Sequence, residues 1–176
     1  MARRRTVIPG FVGGLVCVLI AAGPVLAALS ASVANLTLPA VTSSHTAQVS
    51  TGTMTLTATD TAVPVGLGWN VTIQASAFVY SGPNNGANIP ASSFALTSAA
   101  APVRVSGQAV DATNGPKVPP ASPIGTLDVA RKVLQANALF GVGTYTQALG
   151  VSLSLPAEAR TGTYTTSLTT TISAGP

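Results

Sequence analysis

The chain is short of the residues that carry chemistry. It has one cysteine, Cys17, one histidine, His45, and only 7% charged and 5% aromatic residues. A single cysteine excludes a disulfide framework and a cysteine-based zinc site. A single histidine leaves one imidazole base, in Thr42-Ser-Ser-His-Thr46, to activate any of the many serines. No Gly-x-Ser-x-Gly elbow accompanies it, so His45 reads as an exposed loop residue. The acids Asp60, Asp111, Asp128 and Glu158 stand singly along the chain. They form neither the carboxylate pair of a glycosidase nor an Asp-x-Asp calcium cluster. This inventory points away from an enzyme: no catalytic residue, metal ligand or cofactor site is assigned.

The net charge of +4 is misleading as a guide to partners. Three of its bases, Arg3, Arg4 and Arg5, open the chain. From Asn35 onward, the five bases Arg104, Lys117, Arg131, Lys132 and Arg160 face the four acids already named. The remainder is nearly neutral and holds no basic stripe with interleaved aromatics, so nucleic acid is not an expected partner.

What the chain has in quantity is apolar residues at its start and small polar ones after it. Behind the three arginines an apolar run extends from Val7 to Leu29, interrupted by Gly13, Gly14, Gly23 and Pro24. Small-residue exits follow Ala27 (Val25-Leu-Ala), Ala31 and Ala34 (Ser32-Val-Ala). Charged start, apolar middle and small exit describe a secretory signal peptide. Residues 1–34 are therefore expected to be the signal and residues 35–176 a single exported domain, with no membrane segment in the mature form. Val16 is not the small residue that a lipoprotein cysteine needs before it, so Cys17 goes with the signal.

Beyond it, Gly, Pro, Asn and Ser clusters divide the chain into short runs that alternate apolar and polar residues. The alternation covers Asn35–Val41, Thr53–Thr59, Trp69–Ala77 and Ala148–Leu155, with shorter runs at Phe94–Leu96 and Val103–Val105. It resumes in the closing segment, where Tyr164, Thr166, Leu168, Thr170 and Ile172 share one face. Period-2 alternation is the signature of half-buried strands. Asp128–Phe140 fits a helical face loosely, but Lys132–Ala136 reads better as a strand entering the loop Gly141-Val-Gly143. Ser81-Gly-Pro-Asn-Asn-Gly86 is a turn by its Asn-Gly step. Many short strands and no convincing long helix predict an all-β fold, a single antiparallel β-sandwich of immunoglobulin-like type.

Two segments together resemble the WxL family of cell-wall-binding domains found on the surface of Gram-positive bacteria. That family is named for a Trp-x-Leu near the start of a strand, and it carries a second signature, Tyr-x-x-x-Leu-Thr-Trp-x-Leu-x-x-x-Pro. Here the first stands as Trp69-Asn70-Val71 and the second as Tyr164, Leu168, Thr169, Thr170, Ile172 and Pro176, in register. Val71 and Ile172 replace leucines; Thr170 replaces a tryptophan and removes a large aromatic surface. The resemblance implies export, a sandwich in which the two motifs lie close together, and non-covalent attachment to peptidoglycan through these nine residues. Other surface proteins are its implied partners in assembly. The lone Trp69 itself has two readings, a core anchor of the sandwich or an aromatic platform for a sugar ring.

Overall fold

The computed structural model describes residues 29–61, 66–121 and 123–176. Residues 1–28, the larger part of the segment 1–34 read as a signal peptide, lie outside the described residues; its last part includes the strand Leu29–Val33. The all-β expectation holds: the described chain is built of antiparallel strands, with one short 3-10 turn at Ala91–Ser93. In chain order the strands are β1 (Leu29–Val33), β2 (Gln48–Asp60), β3 (Trp69–Ala75), β4 (Val79–Ser81), β5 (Phe94–Ala99) and β6 (Val103–Gly107). They continue with β7 (Gly125–Thr126), β8 (Arg131–Ala136), β9 (Gly143–Leu155), β10 (Thr163–Thr165) and β11 (Leu168–Ala174).

The larger sheet runs β1-β2-β9-β5-β7, with β6 also pairing β9. The smaller runs β11-β3-β8, and β4 pairs β10 beside it. Alternation explains why the sheets face each other. On β2, Met54, Leu56 and Ala58 are buried while Thr51, Thr53 and Thr55 are exposed. On β9, Tyr145, Gln147, Leu149, Val151 and Leu153 point inward, and on β3 Trp69, Val71, Ile73 and Ala75 do the same. Threonine fills the outward positions because its branched Cβ suits the pleat and its hydroxyl suits water. The inward residues of both sheets form one core, into which Phe78 and Phe94 pack edge to face with centroids 5.3 Å apart.

β8 breaks simple alternation, since Val133 and Leu134 are both buried. The ladder to β3 slips there: Val71 faces Leu134 while Thr72 faces Lys132. One extra residue in a strand is a β-bulge, and it turns two consecutive side chains toward the same interior.

Three boundaries differ from the sequence reading. First, Asn35–Val41 is not a strand. The ladder to β2 is made instead by Leu29–Val33, and its last bond runs from the Ala34 N–H to the Thr55 carbonyl. The chain then departs with Pro39, which has no N–H to give a ladder. Leu36 and Leu38 still cover Gly52, and the Ser50 hydroxyl donates to the Pro39 carbonyl at 2.8 Å. Second, β9 begins five residues before Ala148. Third, the closing segment is two strands rather than one. β10 pairs β4 and β11 pairs β3, with the change of partner at Thr166-Ser167. There the Thr166 hydroxyl donates to the Ser76 carbonyl at 2.6 Å, and the Ser76 N–H donates to the Ser167 carbonyl at 3.0 Å. One side-chain bond and one backbone bond thus hold the bend.

Candidate functional site

The two motifs meet as neighbouring strands. Trp69 lies opposite Ala174, Val71 opposite Ile172, Ile73 opposite Thr170 and Ala75 opposite Leu168. The Asn70 amide donates to the Gly175 carbonyl at 2.7 Å, and the Gly175 N–H donates to the Gly68 carbonyl at 2.9 Å. Asn70 thus ties the chain end to the start of β3.

Trp69 offers no platform. It is 0% exposed, its indole N–H donates to the Gly141 carbonyl at 3.1 Å, and its ring lies 6.3 Å from that of Tyr145. Two glycines make this seat. Gly68 has φ +81°, and a Cβ there would fall 2.3 Å from the Ala136 carbonyl oxygen. Gly141 has φ +89°, and a Cβ there would fall 2.7 Å from the indole nitrogen. Both backbone conformations favour glycine and both lack room for anything more. Val71 is buried beside Trp69. The aromatic-platform reading of Trp69 gives way to the core reading, because a ring closed on both faces cannot stack on a ligand.

The closing signature behaves differently. Leu168, Thr170 and Ile172 are half-buried on the side facing the core, Thr169 points to solvent, and Pro176 is exposed. Tyr164, Leu168 and Thr170 line a groove of roughly 1370 Å³. Its other wall is the segment 34–46 that left the sheet, and its floor includes Phe78, Phe94, Leu153 and Leu155. Hydroxyls rim it, among them Ser44, Thr46, Thr163 and Thr165. His45 and Arg160 are the basic side chains on it. The groove lies where the chain after Val33 peels away from β2; Phe78, Phe94 and Leu153 beneath it stay buried, and Leu155, Tyr164 and Leu168 are half-exposed along it.

Tyr164 is held in the groove wall from two sides. Its hydroxyl accepts from the Arg160 N–H at 3.0 Å and lies 3.1 Å from the Arg160 carbonyl; its ring lies 5.2 Å from that of Tyr80. Tyr80 in turn donates to the Thr161 carbonyl at 2.9 Å. A fixed, half-exposed aromatic pair can pack against an apolar surface with little entropy to lose.

Electrostatics are quiet. Backbone N–H groups of Asn114 and Thr113 hold the Asp111 carboxyl below its ordinary range, at 2.7 and 2.8 Å, as an Asx turn does. Among the described residues no group of three His, Cys, Asp or Glu side chains could hold a metal. The buried inward-facing polar residue missed in the sequence is Gln147. Its amide nitrogen donates to the Ala100 carbonyl at 2.9 Å and to the Val133 carbonyl at 3.1 Å, joining the two sheets, while its Oε1 has no partner among the described residues. Alternation backward from Leu149 marks position 147 as inward, which is the signal that could have found it.

Set against known proteins, the chain matches no family model, no curated sequence and no solved structure.

Proposed function

We propose that the chain is an exported, non-catalytic surface protein that attaches non-covalently to the cell wall, with a neutral glycan of peptidoglycan lying in the groove. The observation that carries this reading is the convergence of Tyr164, Leu168 and Thr170, three residues of the closing signature, on a groove with an apolar floor and a hydroxyl rim. A sugar chain has the matching chemistry: apolar C–H faces for Leu168 and Tyr164, and hydroxyls that exchange water for Ser and Thr. A nearly neutral lining exacts little charge desolvation when such a polymer binds. Purified protein should pellet with insoluble peptidoglycan. Thr165→Arg, at an exposed rim position, should cut pelleting about tenfold, a loss near 1.4 kcal/mol, with an unchanged circular dichroism spectrum. Equal pelleting by the variant would sink the groove as the binding site.

A second reading, assembly with other surface proteins, is favoured by the edge of β11. β11 ends its sheet. The bonds at Ser76–Ser167 and Gly68–Gly175 set the antiparallel alternation, so Leu168, Thr170, Ile172 and Ala174 direct their N–H and C=O groups away from β3. No charge or proline guards residues 161–174, and such an edge can accept a partner strand. Thr170→Pro removes one outward N–H and leaves the β3 ladder intact. Under this reading the variant loses co-purification with a surface partner; unchanged co-purification excludes β11 as the contact.

A further inference from the structure

The chain holds two Asn-Gly steps, Asn85-Gly86 and Asn114-Gly115, and the fold treats them oppositely. We propose that Asn85 is a self-modifying site, converted without an enzyme to aspartate or isoaspartate, while the same step at Asn114 is protected.

In this chemistry the amide nitrogen of the following residue attacks the asparagine Cγ. The N–Cγ bond forms, the Cγ–Nδ2 bond breaks, and the proton lost by the attacking nitrogen leaves with Nδ2 as ammonia. The product is a cyclic imide, a succinimide. Water then opens that ring at either carbonyl, giving aspartate or, when the main-chain carbonyl is cut, isoaspartate. The net change is amide plus water to carboxylic acid plus ammonia, with no oxidation. Glycine is the best follower because it has no Cβ to obstruct the ring, and its N–H must be free to move.

At Asn85 these conditions hold. The residue is exposed in the turn that follows β4, at φ 48°, in the left-handed region that asparagine tolerates. Among the described residues the Gly86 N–H makes no hydrogen bond. Packing also keeps glycine in place: a Cβ on Gly86 would fall 2.7 Å from Cε2 of Tyr80. The Asn84 N–H donates to the Tyr80 hydroxyl at 3.3 Å. The acid is therefore created one residue from a contact that holds the Tyr80–Tyr164 pair.

At Asn114 the reacting groups are tied down. Gly115 is buried, and its N–H donates to the Asp111 carbonyl at 2.7 Å. The Asn114 N–H donates to the Asp111 carboxylate at 2.7 Å, and its carbonyl accepts from the Asn137 N–H at 2.8 Å. Its side-chain oxygen accepts from the Asn137 amide at 3.4 Å. The ring cannot close there until this cluster opens, and bonds held inside a fold open rarely.

The test incubates the full chain in warm, mildly alkaline buffer and maps its peptides by mass spectrometry, with isoaspartyl methyltransferase labelling alongside. In the folded chain, acid should appear at position 85 about tenfold faster than at position 114 or more, since opening the cluster at Asn114 comes first. In chain unfolded with guanidinium the two rates should converge. Comparable rates in the folded chain overturn the proposal. So does a position 85 that reacts in the unfolded chain and stays an amide in the folded one. Asn85→Gln should remove the isoaspartyl label from the folded chain; a label at full strength would place the reaction elsewhere and overturn the assignment.

Discussion

Val71 of β3 and Ile172 of β11 stand directly opposite each other, one fully buried and the other half-covered by the same core. Two β-branched side chains in a cross-strand pair pack well, and this pair joins segments a hundred residues apart. Valine opposite isoleucine thus makes a good strand contact between β3 and β11. It also makes the closing segment depend on β3 for its order, and β3 depends on Trp69.

Trp69→Ala should therefore destabilise the fold by about 3–5 kcal/mol, the usual cost of emptying a buried tryptophan site. Urea unfolding with circular dichroism detection measures this. Any loss of wall pelleting in that variant should accompany loss of structure; normal stability with lost pelleting would revive a binding role for the ring.

Gly141→Ala tests the seat rather than the ring. Its methyl would meet the Trp69 indole nitrogen at 2.7 Å and the Ala136 Cβ at 2.5 Å, on a backbone with φ +89°. A loss of about 1–3 kcal/mol is expected from overpacking and backbone strain together. The indole fluorescence of the lone tryptophan should shift in the folded variant. An unmoved spectrum with unchanged stability would mean that the loop adapts freely.

Gln147 joins the sheets through two carbonyls while leaving its own oxygen unsatisfied. Gln147→Leu deletes both donations but also removes the orphan acceptor, and it keeps most of the volume. Its cost should be about 1–2 kcal/mol, below that of Gln147→Ala, which adds a cavity. Thermal or urea denaturation of the two variants side by side decides the order, and a reversed order would refute the bridging account.

Burial pushes the Tyr145 hydroxyl above the usual tyrosine range. The nearby Asp60 charge adds to this, and Arg104 works against both. The hydroxyl also shares its proton between the Gln108 and Val142 carbonyls, at 2.9 and 3.0 Å. The fold favours the neutral phenol, so its contribution is complete below the unfolded tyrosine range and is lost as pH rises through the folded value. Stability measured by urea from about pH 8 to about pH 11.5 should fall at the alkaline end. Tyr145→Phe should be less stable at neutral pH and show a flatter alkaline decline; an equally steep decline would assign the titration elsewhere.

Much of the fold was legible because alternation is a local property. The runs at Thr53–Thr59, Trp69–Ala75 and Leu149–Leu155 each show which side chains turn inward, and β2, β3 and β9 follow them. Asn35–Val41 alternates equally well and is no strand, since alternation says nothing about whether a partner edge is in reach. The same limit applies to Tyr164–Ile172, whose side chains keep one period while the backbone changes partner at Thr166-Ser167. The bulge that buries both Val133 and Leu134 lies in the pairing of two strands and could not be read from either alone.

The sequence by itself determined an antiparallel all-β chain with nearly neutral surfaces, because inward and outward positions are written in the order of residues. It also set Trp69 and the closing signature at their spacing. Only the tertiary structure decided that Trp69 is sealed in the core, that Val71 meets Ile172, and that Tyr164, Leu168 and Thr170 open onto a groove. Those outcomes depend on where the segment after Val33 goes once it leaves β2. That path is settled by contacts between distant residues, such as Leu36 and Leu38 on Gly52, and no local pattern encodes it.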